Sequence, residues 1–443
     1  MGKRQQDWDE KLKLVFRTLH SRNYRLFFGG QCISVTGTWM QNIALSWLVY
    51  RITDSVFYLG LVGFANQIPS LLISPFAGVM VDKWNRHRIL IATQALSMVQ
   101  ALILFGLIVT NTVTVWHIIP LSLFLGIVNA LDTPARHSFI VDMIEKREDL
   151  GNAIALNSAI FNSARLIGPS IAGLLIAWLG EGPCFLINGL SYIGVIAALL
   201  AMRLNPPIRK QGEQNILKEL KEGFDYTFHC LPIKAFLLLL AMVNLFGVSY
   251  MVLMPVIAKD ILQGGSHTMG FLMGAIGAGA LTGAFYLASR KTVVGLSNKI
   301  PYALCLFSLS VIAIAFSTNF YLSLVLMYFA GLGMISMMAS SNTVIQTIVD
   351  DDKRGRVMSF YAMSFMGVAP FGSLLAGSLS GVIGAKYTIL IGGICCFAGF
   401  LIYQKHKPAI RQFINTVYVK KGLITRNVTV LDNTYSDYSD TQS

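Results

Sequence analysis

Apolar runs of about 18 to 25 residues, each long enough for a helix to cross a hydrocarbon core of ~30 Å, recur from Leu26 to Tyr403. Lipid offers a peptide group no hydrogen-bond partner, so such runs must satisfy their backbone internally, as helices. The approximate spans are 26–50, 57–82, 88–109, 115–137, 151–179, 184–203, 235–259, 268–290, 299–318, 320–345, 354–381 and 387–404. Only 13% of the 443 residues are charged, 54% are hydrophobic and the mean hydropathy is +0.60, whereas a soluble domain carries roughly 25% charge. The expected fold class is all-α and integral to the membrane, with twelve transmembrane helices.

The basic residues orient these spans. With 1–25 as a cytoplasmic N-terminal segment, the inner loops collect Lys83, Arg86 and Arg88, then Arg136, Lys146 and Arg147, then Arg290, Lys291 and Lys299, then Lys353, Arg354 and Arg356. Only Arg51, Lys259 and Lys386 fall outside. This is the positive-inside asymmetry, and an even number of spans keeps both termini in the cytoplasm, here of a bacterial inner membrane. The net charge of +13 is then an orientation signal, and no nucleic-acid partner is expected. The first 25 residues lack the apolar core of a cleaved signal peptide. Six cysteines lie mostly within apolar runs, without zinc or disulfide spacing, so no metal site is expected.

An internal repeat divides the chain. A shift of 204 residues lays Gly151 on Gly355, Gly168 on Gly372, Gly173 on Gly377, Gly180 on Gly384 and Gly189 on Gly393. The chain thus reads as two pseudo-symmetric six-helix bundles, 26–203 and 235–404, with a substrate path at their interface near the bilayer midplane. Between them, 204–234 reads as a cytoplasmic linker, with Ile216, Leu217, Leu220 and Phe224 on one face of an amphipathic helix. Residues 405–443 read as a cytoplasmic tail whose polar end, Thr434 to Ser443, cannot bury enough apolar surface to fold alone.

Between the second and third spans stand Gly78, Asp82, Arg86 and Arg88. The glycine permits close helix approach, and an acid and a base four residues apart can hold a charge pair at a gate. This stretch resembles the Gly-x-x-x-Asp-x-x-x-Arg signature of the major facilitator superfamily, which implies the major facilitator fold and a cytoplasmic latch. By that resemblance Asp82 faces the start of the eleventh helix near Gly355, and Arg86 pairs with an acid low on the fourth, Asp132. The matching stretch of the second half, from Ala288 to Gly295, lacks the aspartate. The fifth span carries Arg165, Gly168, Pro169 and Gly173, similar to the Gly-Pro-rich signature of the superfamily's exporters; its counterpart from Pro370 to Gly377 implies a like bend in the eleventh helix.

The resemblance covers nearly the whole chain. Gly30 to Gln41, Trp47 to Ser55, Asp132 to Arg136, Met254 to Ala258 and Arg354 to Ser359 are similar to the branch that holds the enterobactin exporter and bacterial drug and macrolide efflux proteins. It implies a secondary active transporter, a proton-coupled exporter of a small organic molecule such as a drug or siderophore, working by alternating access as a monomer without a bound cofactor. An uptake permease is the alternative within transporters, and a non-transporting membrane receptor or scaffold is the alternative outside them. No phosphate loop or His-Glu-x-x-His appears, so no enzyme is expected. Arg165, a basic side chain deep in a span, has two open readings: a substrate or coupling contact in a central cavity, or a structural tie to neighbouring polar groups. Gln41, Asn66 and Asn162 are candidate cavity-lining residues; other polar residues within spans read as helix-to-helix hydrogen bonds.

The orientation is testable. A cysteine in place of Lys218 should react with a membrane-impermeant maleimide only after the cells are permeabilised; labelling in intact cells overturns the topology.

Overall fold

Short polar signals divide the chain into helices. Asn85 opens one by accepting hydrogen bonds from the backbone N–H groups of His87 (3.0 Å) and Arg88 (3.3 Å), and Asn319 opens another by accepting from Leu322 (3.1 Å). Gly180 and Gly384 end two others with φ of 78° and 85°, where a side chain would be strained. These two are the repeat-related pair, so each half turns the same corner with the same residue.

The computed structural model describes residues 17–144, 147–203, 224–290, 292–350 and 353–424, without the side chains at 74, 75, 78, 79, 82, 83 and 147. The first half consists of α1 (Arg22–Thr53), α2 (Val56–Lys83), α3 (Arg86–Val109), α4 (Val115–Met143), α5 (Leu150–Leu179) and α6 (Gly182–Leu200). The second consists of α7 (Leu231–Val252, continued by Met254–Val256 and Ile257–Ile261), α8 (Ser266–Ala288), α9 (Leu296–Ile314), α10 (Phe320–Ile348), α11 (Arg354–Ile383) and α12 (Ala385–Lys420). Among the described residues eleven helices are long and apolar enough to cross a membrane. The twelfth, α1, has 32 residues and so spans about 48 Å. Its lower apolarity has a structural cause: Gln31, Ser34 and Gln41 point into the bundle, each no more than 4% exposed.

Two helices are distorted. α7 carries five-residue π segments at Val243–Gly247 and Ile257–Ile261, and α11 carries one at Met363–Gly367. The last lies just before Pro370, whose missing N–H disrupts the regular ladder, so the irregularity expected of this helix is a π segment one turn ahead of the proline.

Two boundaries differ from the sequence reading. The linker ends earlier than 234, since α7 begins at Leu231, and Phe224 already packs against Phe228, tilted, and Phe360, edge-on, at centroid distances of 4.4 and 6.1 Å. The remaining linker face, Ile216, Leu217 and Leu220, lies outside the described residues, as does the tail beyond 424. α12 does not stop near 404 but continues to Lys420. Ile410, Ile414 and Tyr418 recur every four residues and are each 1% exposed, which docks this extension on its own half. Lys421 Nζ then donates to the carbonyls of Thr347 (2.8 Å) and Val349 (3.0 Å) at the end of α10, where a cation meets the negative end of the helix dipole. The charged residues around this stripe depress its hydropathy, so a search for apolar runs ends too soon.

The glycine repeat becomes geometry. A Cβ on Gly173 of α5 would lie 2.8 Å from Cα of Gly270 on α8, and a Cβ on Gly377 of α11 would lie 2.8 Å from Cα of Gly60 on α2. Backbone therefore meets backbone across the two halves at two repeat-related crossings, which only glycine allows. Ser266 Oγ donates to the carbonyl of Gly173 (3.1 Å) at the first, and Gln67 Nε2 donates to Ser373 Oγ (3.1 Å) at the second. Gly189 and Gly393 pack on α3 and α9 through Leu102 and Ile312. Gly151 and Gly355, at the far ends of α5 and α11, have nothing within 4 Å of a built Cβ. The halves are thus tightly apposed towards the end of the bundle that holds Asp54, and the glycines marking the opposite end are open.

Replacing Gly60 by Val should strain only this closed arrangement. An overpacked contact costs about 1–3 kcal/mol, so the closed-to-open ratio should fall about 5- to 150-fold. Double electron–electron resonance between labels at Thr53 and Gln263 would read this as a longer distance; an unchanged distribution in the folded variant overturns the assignment.

Candidate functional site

Charges first locate the ends. Each of the three basic residues on the unexpected side has a partner there. Arg51 forms a two-point ion pair with Glu181 (2.7 and 3.3 Å), joining α1 to the α5–α6 corner. Lys259 of α7 binds Asp54 at the end of α1 (2.9 Å) and lies 5.0 Å from the ring centroid of Tyr50. Lys386 lies 5.1 Å from the ring of Phe316. Tyr50 also donates to the carboxylate of Asp260, so α1 and α7, one from each half, are tied by an ion pair and a hydrogen bond. The Lys259–Asp54 pair is well exposed and stabilises by no more than ~1 kcal/mol; it rejoins easily after opening.

At the opposite end, Arg86 Nη1 reaches Asp142 Oδ2 at 3.4 Å. Asp132, the acid the resemblance assigned to Arg86, is instead 4% exposed and accepts from Thr93 Oγ1 (2.8 Å) and Gln94 Nε2 (2.9 Å), with Arg136 at 3.3 Å. Depth explains the difference. Arg86 begins α3 and Asp142 nearly ends α4, whereas Asp132 sits eleven residues before Met143, about 16 Å farther into the bundle. The side chains of Gly78 and Asp82 lie outside the described residues. Arg88 is exposed, and Gly355 occupies the first turn of α11. Beside that turn Tyr226 donates to Asp350 Oδ2 (3.4 Å) under the Lys353 ammonium, 4.6 Å from its ring; burial, then the Asp350 charge, pushes this phenol up to about 12.

The fifth-helix motif spans the middle of the bundle. Gly168 and Pro169 are buried, and a Cβ on Gly168 would come within 2.7 Å of Trp39 Cβ, so α5 lies directly against α1. Arg165 stands at the midpoint of α5 with its Cζ 5.8 Å from the Trp39 ring centroid. Phe161, one turn away, meets the same ring edge-on at 5.9 Å. Among the described residues Arg165 has no hydrogen-bond or ion-pair partner. A charge at the bilayer centre costs about 2.5–3.5 kcal/mol even on lenient scales, whereas a cation over an aromatic face returns about 0.5–2. The ring alone does not settle the charge. Tyr250 of α7, an electrostatic neighbour of Arg165, is fully buried with an unpaired hydroxyl.

The three candidate cavity residues separate. Gln41, 2% exposed, donates to Gln100 Oε1 (3.0 Å) and accepts from Asn188 Nδ2 (2.7 Å); it is a strut joining α1, α3 and α6, because an amide in lipid-depth packing needs both its donor and acceptor matched. Asn66 is half-buried and donates to the carbonyl of Ser122 (3.4 Å), tying α2 to α4. Asn162 donates to Ser158 of its own helix (2.8 Å) and is half-buried, on the same helix face region as Arg165 and Phe161. Sequence reasoning did not single out Asp142, Trp39 or Tyr250 as site residues. Depth counting from helix ends finds the first; Trp39 needs the packing of α1 on α5, and Tyr250 needs the pairing of helices across the halves.

Residues 15–416 match the family model described as transmembrane secretion effector. The chain is 28% identical over 372 residues to the staphyloferrin A transporter of Staphylococcus aureus, covering 84% of this chain and 92% of that protein. It is 25% identical over 363 residues to the multidrug efflux pump Tap of Mycolicibacterium fortuitum (79% and 87%), and 20% identical over 395 residues to macrolide efflux protein A of Streptococcus pyogenes (85% and 95%). Among solved structures it resembles the nucleoside transporter NupG, with a TM-score of 0.68 at 13% identity (87% and 98%). It also resembles a bacterial homologue of the iron transporter ferroportin in an inward-facing state, with 0.66 at 16% identity (87% and 98%).

The Arg51–Glu181 pair predicts an asymmetry. Arg51→Ala leaves a buried carboxylate without its cation and should lower stability by about 1–3 kcal/mol, discounted because the arginine is half exposed. Glu181→Gln keeps a hydrogen-bonding group and should cost less. Thermal unfolding in detergent would rank them; the reverse order contradicts this account.

Proposed function

As a member of the transmembrane secretion effector family of the major facilitator superfamily, the chain is a secondary transporter, and we propose that it exports a small organic molecule from the bacterial cytoplasm, drawing on the proton gradient, as a single chain without a bound cofactor. The observation that carries this reading is the asymmetry of the repeat-related glycines: Gly60 with Gly377 and Gly173 with Gly270 pin the halves together, while Gly151 and Gly355 stand open. With the Arg86 end in the cytoplasm, as the basic residues indicate, cargo loads from inside and leaves when the crossings at the Asp54 end part. Relatives named for siderophore, multidrug and macrolide transport support the direction.

The two ends are suited to alternate. At the outer end, the exposed Lys259–Asp54 pair and the Tyr50–Asp260 bond hold the rim weakly enough to release. At the inner end, Arg86 with Asp142 stiffens the α3–α4 margin, and the start of α11 near Gly355 closes towards it when the path opens outward.

Asp132 is the carboxylate best placed to carry a coupling proton. It is buried within α4, at the depth where the helices must move, and is held by Thr93, Gln94 and Arg136.

Deleting the gene should raise accumulation of an exported dye, with a protonophore erasing the difference; equal accumulation across chemically diverse probes overturns export. In sealed vesicles Asp132→Asn should lose uphill transport at least tenfold while keeping downhill counterflow, and wild-type uphill rates would remove Asp132 from this role.

A further inference from the structure

Arg165, Trp39 and Tyr250 come from three helices and two halves yet share one depth. Arg165 and Trp39 are each fourteen residues from the Asp54-side ends of α5 and α1, and Tyr250 is eleven from the end of α7's last segment, so all lie about 16–21 Å from that end. Gly277 of α8 makes the approach close: a Cβ there would fall 2.9 Å from the Arg165 carbonyl oxygen. The cation therefore sits where the halves separate during transport.

Three features of this place lack an internal explanation. The guanidinium has no carboxylate and no hydrogen-bond acceptor among the described residues, whereas Arg51, Arg86, Arg136 and Lys259 each have a carboxylate. The Tyr250 hydroxyl is an unmatched donor in a fully buried position, a costly arrangement unless something accepts from it. Beside them, Trp39 of α1 and the half-exposed Phe161 of α5, edge-on to each other, offer an apolar shelf. A planar fork of N–H donors matches a carboxylate in two-point geometry, and the shelf suits a flat apolar body next to it.

We propose that this is a substrate subsite for organic anions, in which a carboxylate pairs with Arg165 and accepts from Tyr250 while the apolar body lies on Trp39 and Phe161. The inference rests on the transporter reading and deepens it by naming a substrate class. The same charge repels a lipophilic cation, so anionic cargo is preferred over the cationic dyes that many efflux systems remove. Asn162, half-buried on the same helix, adds an amide within a turn of the subsite.

The test uses the full chain in nanodiscs and a matched pair of probes, 2-naphthoate and the neutral 2-naphthamide, with calorimetry and quenching of Trp39 fluorescence against a Trp39→Phe control. Wild type should bind the naphthoate at least tenfold more tightly than the amide. Arg165→Gln should weaken naphthoate at least tenfold and leave the amide unchanged, so that the two converge; Arg165→Lys should recover part of the difference, and Tyr250→Phe should weaken naphthoate only. Equal affinity of wild type for both probes, or no saturable binding of naphthoate, overturns the proposal without need of any variant. Protonophore-sensitive export of a neutral or cationic compound, with no naphthoate binding, sinks this subsite and leaves export standing. Tight naphthoate binding with no flux of any compound does the opposite.

Discussion

Two places where backbone touches backbone carry this architecture. At Gly60 with Gly377 and Gly173 with Gly270 the helices approach so closely that a single methyl group on either partner would overlap the other chain. In lipid there is little hydrophobic gain from pairing helices, so association rests on contact area and on close-range hydrogen bonds. Glycine supplies both: it lowers the interaxial distance and lets Ser266 reach the Gly173 carbonyl across the halves. The surface of contact is smooth, so the halves can part without unthreading interlocked side chains. A tight but featureless seam is what a rocking transporter requires, and it explains why the same seam occurs twice, once for each repeat.

Around that seam, polar chemistry is sorted by depth. At the Asp54 end the ties are either exposed, like Lys259 with Asp54, or half exposed, like Arg51 with Glu181, so water lowers the cost of breaking them. Deeper, Gln41, Gln100 and Asn188 match one another's donors and acceptors within the first half, where a broken bond would leave a polar group in hydrocarbon. The matched network of the first half is thus buried, and the ion pair between the halves is exposed. Movement as two bodies follows from this distribution of strengths.

Arg165 breaks the pattern, and that is its significance. It is placed between the halves, at mid-depth, with an aromatic ring beside it but no carboxylate or hydrogen-bond acceptor among the described residues. Arg136, by contrast, finds the carboxylate of Asp132 one turn away on its own helix. A site left electrostatically incomplete, beside a distorted α7 whose π segments flank Tyr250, is suited to a ligand that completes it transiently.

The sequence by itself determined the helices and the doubling, because run length and glycines 204 residues apart are one-dimensional signals along the chain. It also singled out Arg165 as an anomaly. It did not determine who meets whom. That Asp142 rather than Asp132 faces Arg86, that Gln41 is a strut, and that Trp39 lies beside Arg165 depend on the packing of neighbouring helices and their relative depth, which periodicity along one helix does not encode. The extension of α12 to Lys420 was hidden for the same reason: its stripe of Ile410, Ile414 and Tyr418 is apolar only on the face that another helix covers. Crossing the membrane is a property of each segment alone, whereas partnership is a property of pairs, and only the tertiary structure assigns the pairs.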